Sequence, residues 1–178
     1  MIPIWRPRRG ASGTSLVEFL LQGDLLVGAG QRFRAAHGRA GTTAQKHEGD
    51  GATPTGLLRL VRVLYRADRV KAPTCAAPLE PIGPRDGWCD DADDAAYNKP
   101  VRLPYAASHE ALWREDHVYD VIGVLDWNLT PIITGRGSAI FFHVATQDYA
   151  PTAGCVALSL PDVLAALKAG LSGIRVSA

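Results

Sequence analysis

The segment FFHVATQDYAPTAGCVALS carries two side chains that could do chemistry, His143 and Cys155, separated by a loop that contains a proline. A cysteine thiolate is a nucleophile, and a neighbouring imidazole can take the thiol proton or stabilise the thiolate as an ion pair. Gly154 has no Cβ and permits close backbone approach, so the amides of Gly154 and Cys155 are candidates for an oxyanion hole. These residue types predict a cysteine nucleophile with a histidine base.

The same two residues also have a structural interpretation. Cysteine is among the most buried residue types, and a histidine among apolar residues is commonly a hydrogen-bonded core group. The order of histidine before cysteine differs from that of papain-like enzymes, and no caspase-like flank surrounds Cys155. From spacing alone the catalytic and structural interpretations both stay open, because four other histidines compete for the role of base: His37, His47, His109 and His117.

β-Strands are the main elements predicted around these residues. Residues 57–66 alternate apolar and basic side chains with a period of two, which favours a strand. Residues 138–145 are apolar at nearly every position, which predicts a strand buried on both faces. Further predicted strands are a hairpin at residues 15–22 and 24–30 around a Gly-Asp turn, residues 118–125 and residues 174–176.

Two short helices are predicted from their capping residues. Ser108 is a suitable N-cap for a helix over residues 108–116, with Glu110 in its first turn. Ser159 and Pro161 mark the start of a second helix, which ends at a glycine.

These elements indicate the fold class. Five or six strands and two or three short helices, without the βαβ rhythm of a parallel sheet, predict a mainly β, α+β fold. At 178 residues the chain is long enough to bury a sizeable core, so we expect a single domain over residues 1–178.

A long loop is predicted at about residues 72–104, which are rich in proline and aspartate. Loops of this length inside a domain are often functional. The acidic run at residues 90–94 lacks the glycine and terminal glutamate of a calcium loop, so we expect an acidic turn and no metal site. Cys75 and Cys89 are either a disulfide or two reduced thiols, and the sequence leaves both alternatives open.

Charge and hydropathy argue against two classes of protein. The 19 basic and 18 acidic residues give a net charge of +1, whereas a nucleic-acid binder needs a clear basic excess. The short basic cluster at residues 6–9 is expected to be a solvated segment. No stretch reaches the ~20 apolar residues of a membrane-spanning helix. Polar residues interrupt the apolar run at residues 16–26, so no signal peptide is expected.

Several motifs together resemble one family. His143 followed by Thr152-Ala-Gly-Cys155 and an apolar residue resembles the signature of the L,D-transpeptidases, the YkuD family of peptidoglycan enzymes. Asp50-GATPTG is similar to the Thr-Pro-x-Gly turn that precedes a strand in these domains. Four further segments are similar to blocks of a short, single-domain branch of the family: Gly87-WCDD, Tyr97-NKPVRLP, Leu112-WRED and Gly135-RGSAIFFH.

The resemblance implies a fold and a mechanism. The fold would be a β-sandwich with a few short helices, and no metal or organic cofactor would take part. Cys155 would attack the carbonyl on the L-centre of diaminopimelate in a stem peptide and pass the acyl group to an amine of another stem. His143, oriented by the backbone carbonyl of Val144, would act as base and then as acid. The amides of Gly154 and Cys155 would stabilise the oxyanion.

The sequence departs from the family pattern at two positions. Ala153 stands where a second histidine is usual, and Ala157 where asparagine or arginine is usual. These positions shape the acyl site, so 3,3 and 1,3 cross-links both stay open. Candidate substrate contacts near the motif or in the long loop, each with loop anchoring as the alternative, are Arg136, Ser138, Tyr149, Thr152, Trp88 and Asn98.

Two alternatives to cross-linking follow from the same motifs. Water in place of the amine would give an L,D-carboxypeptidase, and loss of chemistry would give a peptidoglycan-binding domain, which needs neither His143 nor Cys155. The expected partners are peptidoglycan stem peptides and, as inhibitors, carbapenems. We expect a monomer, with the periplasm or cell envelope as its location on the basis of the resemblance.

Overall fold

A computed structural model describes residues 15–177, and the basic cluster at residues 6–9 lies outside the described residues. Within residues 15–177 the chain forms one helix, α1 (Leu160–Lys168), and fourteen mostly short strands. The strands are β1 (Val17–Gln22), β2 (Leu25–Gly28), β3 (Gln31–Arg34), β4 (Thr42–Thr43), β5 (Thr53–Pro54), β6 (Gly56–Tyr65), β7 (Leu79–Pro81), β8 (Asp86–Cys89), β9 (Pro100–Arg102), β10 (His109–Ala111), β11 (Val121–Leu125), β12 (Phe141–Val144), β13 (Val156–Leu158) and β14 (Leu171–Val176).

The mainly β class predicted from the sequence is confirmed, but the predicted number of strands is too low. Several strands have only two to four residues, which is too short to show a period in the sequence. Three of them, β7, β8 and β9, lie within the predicted long loop at residues 72–104.

The main sheet has the strand order β13-β12-β11-β6-β14-β1-β2-β3. The long strand β6 joins its two halves, because residues 56–59 pair with β14 and residues 60–65 pair with β11. The predicted hairpin is confirmed as β1 and β2, which pair across a turn at Gly23. Nine strands belong to this sheet when β7, which pairs with β6, is included.

A short set of contacts joins the two ends of this strand order, and we call it the seam. Ala36, just after β3, and Ala157 in β13 exchange two backbone hydrogen bonds of 2.8 Å. Next to them, the N–H of Thr152 donates to the carbonyl of His37, and the N–H of Arg39 donates to the carbonyl of Thr152. The sheet therefore curls back on itself, and β13 gains a backbone partner on the side away from β12.

The half of the sheet formed by β11, β12 and β13 is buried on both faces. Phe142 and Val144 belong to one core cluster with the buried residues of α1, whereas Phe141 belongs to a second cluster with Trp88 and Tyr119. All four residues of β12 are buried, so the prediction of a strand buried on both faces is confirmed.

The second cluster is covered by a three-stranded sheet with the order β10-β8-β9, which we call the small sheet. It packs on the main sheet through Trp88, whose ring meets that of Phe141 edge-on at 5.3 Å. The prediction of a helix at residues 108–116 is wrong, because His109 and Ala111 pair with β8 instead. The pairing supplies backbone partners from a distant segment and overrides the local capping signal of Ser108.

The other predicted helix is confirmed as α1. The hydroxyl of Ser159 accepts a hydrogen bond from the N–H of Asp162 at 3.3 Å, as an N-cap does.

Cys75 and Cys89 are free thiols, so the structure favours the reduced alternative. The acidic run forms a turn in which the carboxylates of Asp91 and Asp94 accept local backbone N–H groups.

Candidate active site

Strand pairing brings Cys155 and His143 to the same face of the main sheet. β12 and β13 run parallel, with His143 opposite Ala157. Cys155 lies two residues before Ala157, and its Sγ accepts the N–H of Phe141, two residues before His143. Because side chains alternate along a strand, Phe141, His143 and Cys155 all project towards the small sheet. The cysteine and the histidine are each 8% exposed.

The thiol of Cys155 is held between two backbone groups. Its Sγ accepts the N–H of Phe141 at 3.3 Å and donates to the carbonyl of Ala139 at 3.2 Å. Burial, together with the negative charge of Glu110, raises the pKa of the thiol to about 12, although the Phe141 amide and Lys46 act in the opposite direction. The thiol is therefore protonated at neutral pH.

His143 is held as a neutral imidazole. Its Nδ1 lies 2.9 Å from the carbonyl oxygen of Val144, which can only accept, so Nδ1 carries the hydrogen and Nε2 has a free lone pair. Burial lowers the pKa of the imidazole to about 4, against the opposing effect of the Val144 carbonyl. The ring of Tyr119 meets the imidazole edge-on at 5.4 Å. Both side chains are therefore neutral at neutral pH, and they lie on the same face of the sheet without a preformed thiolate–imidazolium ion pair.

Gly154 allows the loop before the cysteine to lie against the chain at Ala52. Its φ is +139°, and a Cβ at this position would lie 2.8 Å from the carbonyl oxygen of Ala52. Its N–H donates to the Thr152 hydroxyl at 3.1 Å and is already engaged. Among the described residues, the N–H of Cys155 donates to no acceptor. Of the two expected oxyanion donors, the Cys155 amide is thus the one that is free.

Thr152 fastens this loop. Its hydroxyl donates to the carbonyl of Cys155 at 2.7 Å while it accepts the N–H of Gly154. Its backbone takes part in the seam, through His37 and Arg39. The contacts of Thr152 favour loop anchoring, which the sequence left open as the alternative to substrate contact.

The Asp50-GATPTG segment packs beneath the same loop. The carboxylate of Asp50 accepts the N–H groups of His47 and Ala52 and the ammonium of Lys46, whose Nζ lies 2.6 Å away. This network sets the turn that presents the Ala52 carbonyl to Gly154. It also holds a buried lysine close enough to Cys155 to lower the pKa of the thiol.

The family model of the L,D-transpeptidase catalytic domain, YkuD, matches residues 20–173. The chain belongs to this family. No curated protein matches the sequence. The match runs from β1 to β14 and includes both His143 and Cys155, so the family resemblance and the fold class predicted from the sequence are confirmed. Members of this family are typically associated with the cell envelope. No helix in the described part of the chain is both long and apolar enough to span a membrane.

In this L,D-transpeptidase domain, Trp88 and Asn98 lie inside the fold. The Asn98 side chain is 1% exposed, and its Oδ1 accepts the indole N–H of Trp88 at 2.9 Å and the N–H of Ala139 at 3.0 Å. Its Nδ2 donates to the carbonyls of Trp127 and Asn128. Since the carbonyl of Ala139 accepts the Cys155 thiol, Asn98 is linked to the thiol through a single residue, Ala139.

The remaining candidate contacts lie at different distances from the chemistry. Ser138 precedes Ala139, is 8% exposed, and its hydroxyl has no hydrogen-bond partner among residues 15–177. Arg136 is exposed and lies over the ring of Trp127. Tyr149 lies under the guanidinium of Arg34, 4.2 Å from its ring centroid. Ser138 thus precedes the residue whose carbonyl accepts the thiol, whereas Arg136 and Tyr149 lie in loops outside the sheet.

Two neighbours of the candidate site were missed by sequence reasoning. Tyr119 packs against both Phe141 and His143, and its hydroxyl donates to the carboxylate of Glu110. Glu110 was assigned to the first turn of a helix, which obscured its place in a strand of the small sheet. The family-like segment Leu112-WRED begins two residues after Glu110. It was the one sequence feature that could have pointed to this region as part of the site.

Proposed function

We propose that the protein is a peptidoglycan L,D-transpeptidase in which Cys155 is the nucleophile and His143 the base. A single observation carries this proposal. In a domain of this family, a neutral thiol and a neutral imidazole share one face of the sheet, and the Val144 carbonyl leaves the lone pair of Nε2 available. A buried structural cysteine needs no such partner.

The first half-reaction is acylation. His143 takes the proton of Cys155 as the sulfur attacks the carbonyl on the L-centre of diaminopimelate in a stem peptide, and it then gives that proton to the departing D-amino acid. The free N–H of Cys155 stabilises the oxyanion, while Gly154 contributes by allowing the loop to approach Ala52. The product is a thioester on Cys155.

In the second half-reaction an amine of another stem takes the acyl group. The type of cross-link, 3,3 or 1,3, depends on which stem carbonyl enters. Ala153 and Ala157 leave that choice to other groups. Of the six candidates, Ser138 lies next in the chain to Ala139, whose carbonyl accepts the thiol, but its hydroxyl oxygen is buried, so it shapes the site from within. Trp88, Asn98 and Thr152 shape the site from within.

We further propose that residues 1–178 form one catalytic domain and that it acts in the periplasm or cell envelope as a monomer. The continuous main sheet, which takes in strands from β1 to β14, supports the single domain. The family supports the location.

A carbapenem tests the nucleophile. We expect the protein to gain the mass of one carbapenem between pH 6 and 9, because the strained lactam traps the thiol as an acyl-enzyme. The Cys155→Ala variant should gain none, and the Cys75→Ala variant, which removes another free thiol, should react like the wild type. Intact-protein mass spectrometry measures all three. An adduct that persists in Cys155→Ala, or none in the wild type, would contradict the assignment.

The second half-reaction is tested with a purified disaccharide-tetrapeptide. We expect a dimer with loss of the terminal D-amino acid, and His143→Ala should abolish its formation. Shortened monomer as the sole product would show that water is the acceptor and would replace transpeptidation by L,D-carboxypeptidase activity.

A further inference from the structure

Glu110 lies over the candidate active site, although nothing in the family signature includes it. In β10, its backbone pairs with Trp88 of β8. Trp88 packs edge-on against Phe141, whose N–H bonds the thiol of Cys155. The small sheet thereby carries a partly buried carboxylate to the face of the main sheet from which Cys155 and His143 project.

A tyrosine fixes the position of this carboxylate. The hydroxyl of Tyr119 donates to Glu110, and the same ring meets Phe141 at 6.1 Å and His143 at 5.4 Å between centroids. Tyr119 is 6% exposed, so its ring has little freedom to move. Glu110 is therefore fastened to the residue that packs on the imidazole.

The charges around Glu110 leave it without a cation of its own. Within residues 15–177 no lysine or arginine forms an ion pair with it: the guanidinium of Arg114 pairs with Asp116, although its charge is near enough to lower the pKa of Glu110. The other charged groups that face it, Asp90 and Glu48, are negative, and they act with burial to raise its pKa. Asp90 also keeps one buried carboxylate oxygen without a partner. A partly buried, unpaired carboxylate is unfavourable unless a ligand supplies positive charge.

We propose that Glu110 binds the ammonium group of the acceptor and takes one of its protons, which directs the thioester to an amine and not to water. This inference rests on the proposed function, since it concerns the second half-reaction at the same thiol. An acceptor amine is an ammonium ion at neutral pH and cannot attack until it loses a proton. A neighbouring carboxylate serves both to bind it and to deprotonate it.

The ammonium gives one proton to the carboxylate of Glu110, and the freed lone pair of the nitrogen attacks the thioester carbonyl. The second N–H proton passes to His143 and from there to sulfur. One C–N bond forms, the C–S bond breaks, Cys155 leaves as a thiol, and Glu110 later releases its proton to solvent. No oxidant or reductant is needed.

The Glu110→Gln variant tests the proposal, because glutamine keeps an oxygen that can accept the Tyr119 hydroxyl but removes the charge. Thioester formation from disaccharide-tetrapeptide should become several-fold faster, since the charge that raises the pKa of Cys155 is gone. Transfer to the amine of a disaccharide-tripeptide should fall about 10- to 100-fold. The share of hydrolysed monomer should rise.

Methoxyamine, which is uncharged at neutral pH, is the control nucleophile. In Glu110→Gln, only transfer to the tripeptide amine should become slower. The rate of transfer to that amine divided by the rate of transfer to methoxyamine should therefore fall by the same factor. A purely structural role would lower both rates together and leave this ratio unchanged, which would overturn the inference. The Tyr119→Phe variant, which keeps both the charge and the ring, should show a smaller fall in the ratio.

The two proposals fail in distinguishable ways. If the wild type forms no thioester, the proposed function is wrong. If the wild type forms thioester and dimer but Glu110→Gln keeps the wild-type ratio of transfer to hydrolysis, only the role of Glu110 is wrong. Thermal unfolding of each variant by circular dichroism shows that it is folded at the assay temperature.

Discussion

Gly154 illustrates how closely the candidate nucleophile depends on one neighbouring residue. Its backbone adopts a φ of +139°, and the carbonyl oxygen of Ala52 occupies the place of a side chain. The Asp50 network fixes that carbonyl, and Thr152 fixes the loop from the other side. The glycine is thus required for two independent reasons, its dihedral angle and the space around it.

Replacing Gly154 by alanine should therefore lower the free energy of unfolding by about 2 to 4 kcal/mol, because the new Cβ combines backbone strain with a clash. Carbapenem acylation should be lost at temperatures where the variant is still folded. Urea unfolding and intact mass measure the two effects.

Gly135→Ala is the matched control for this prediction. Gly135 also has a positive φ, +76°, but nothing lies within 4 Å of the place of its Cβ. We expect a loss of about 1 kcal/mol and normal acylation. If the two variants lose the same stability and both react normally, the contact with Ala52 has no role in positioning the thiol.

At the scale of elements, Asn98 joins three segments of the chain through its side chain. It bonds Trp88 of the small sheet, the carbonyls of Trp127 and Asn128 after β11, and the N–H of Ala139 before β12. Asn98 and Ala139 both have positive φ values, 55° and 50°, which are uncommon for residues other than glycine. The amide network holds both in place.

The Asn98→Ala variant should lose more than about 2 kcal/mol of the free energy of unfolding, because several buried polar groups lose their partners at once. Acylation should slow several-fold, since the Ala139 carbonyl no longer has a fixed orientation towards the thiol. Lys99→Ala, a change at the exposed neighbouring residue, should stay within about 0.5 kcal/mol of the wild type. Urea unfolding and acylation kinetics would refute a positioning role if Asn98→Ala matched Lys99→Ala.

The elements that could be predicted from the sequence are those whose signals are local. The buried strand around Phe141 shows in its unbroken apolar run, and α1 shows in Ser159 and Pro161. The strand that contains Glu110 could not be predicted, because its identity depends on pairing with β8 and its own residues resemble a capped helix. The candidate nucleophile and base were visible as a motif. Their neutral state was not, since it depends on how completely the fold buries them.

At the scale of the whole molecule, the burial of His143 links stability to pH. The folded state holds the imidazole with a pKa of about 4, whereas an unfolded histidine has a pKa near its ordinary value of 6.5. Below about pH 6.5 the unfolded chain therefore binds more protons than the folded one. The free energy of unfolding falls as pH decreases from about 6.5 to about 4.

We expect this single group to remove about 2 to 3 kcal/mol between pH 7 and pH 4.5. Glutamine does not titrate. Between pH 7 and pH 4.5 the free energy of unfolding of His143→Gln should therefore fall by about 2 to 3 kcal/mol less than that of the wild type, whatever its value at pH 7. Urea unfolding of both proteins at the two pH values gives the difference. Equal pH dependence in both would show that the imidazole is not held neutral by burial.

The seam between Ala36 and Ala157 has a consequence for how the protein is made. A ribosome synthesises the chain from its amino end, so β1 to β3 are made early. The strand β13, which pairs with the chain just after β3 at the seam, is among the last elements to be made. Cys155 lies directly before that strand, and the groups that hold its thiol are complete only when β12 and β13 have joined the sheet. A nascent chain therefore lacks an assembled candidate site until β12 and β13 have joined the sheet.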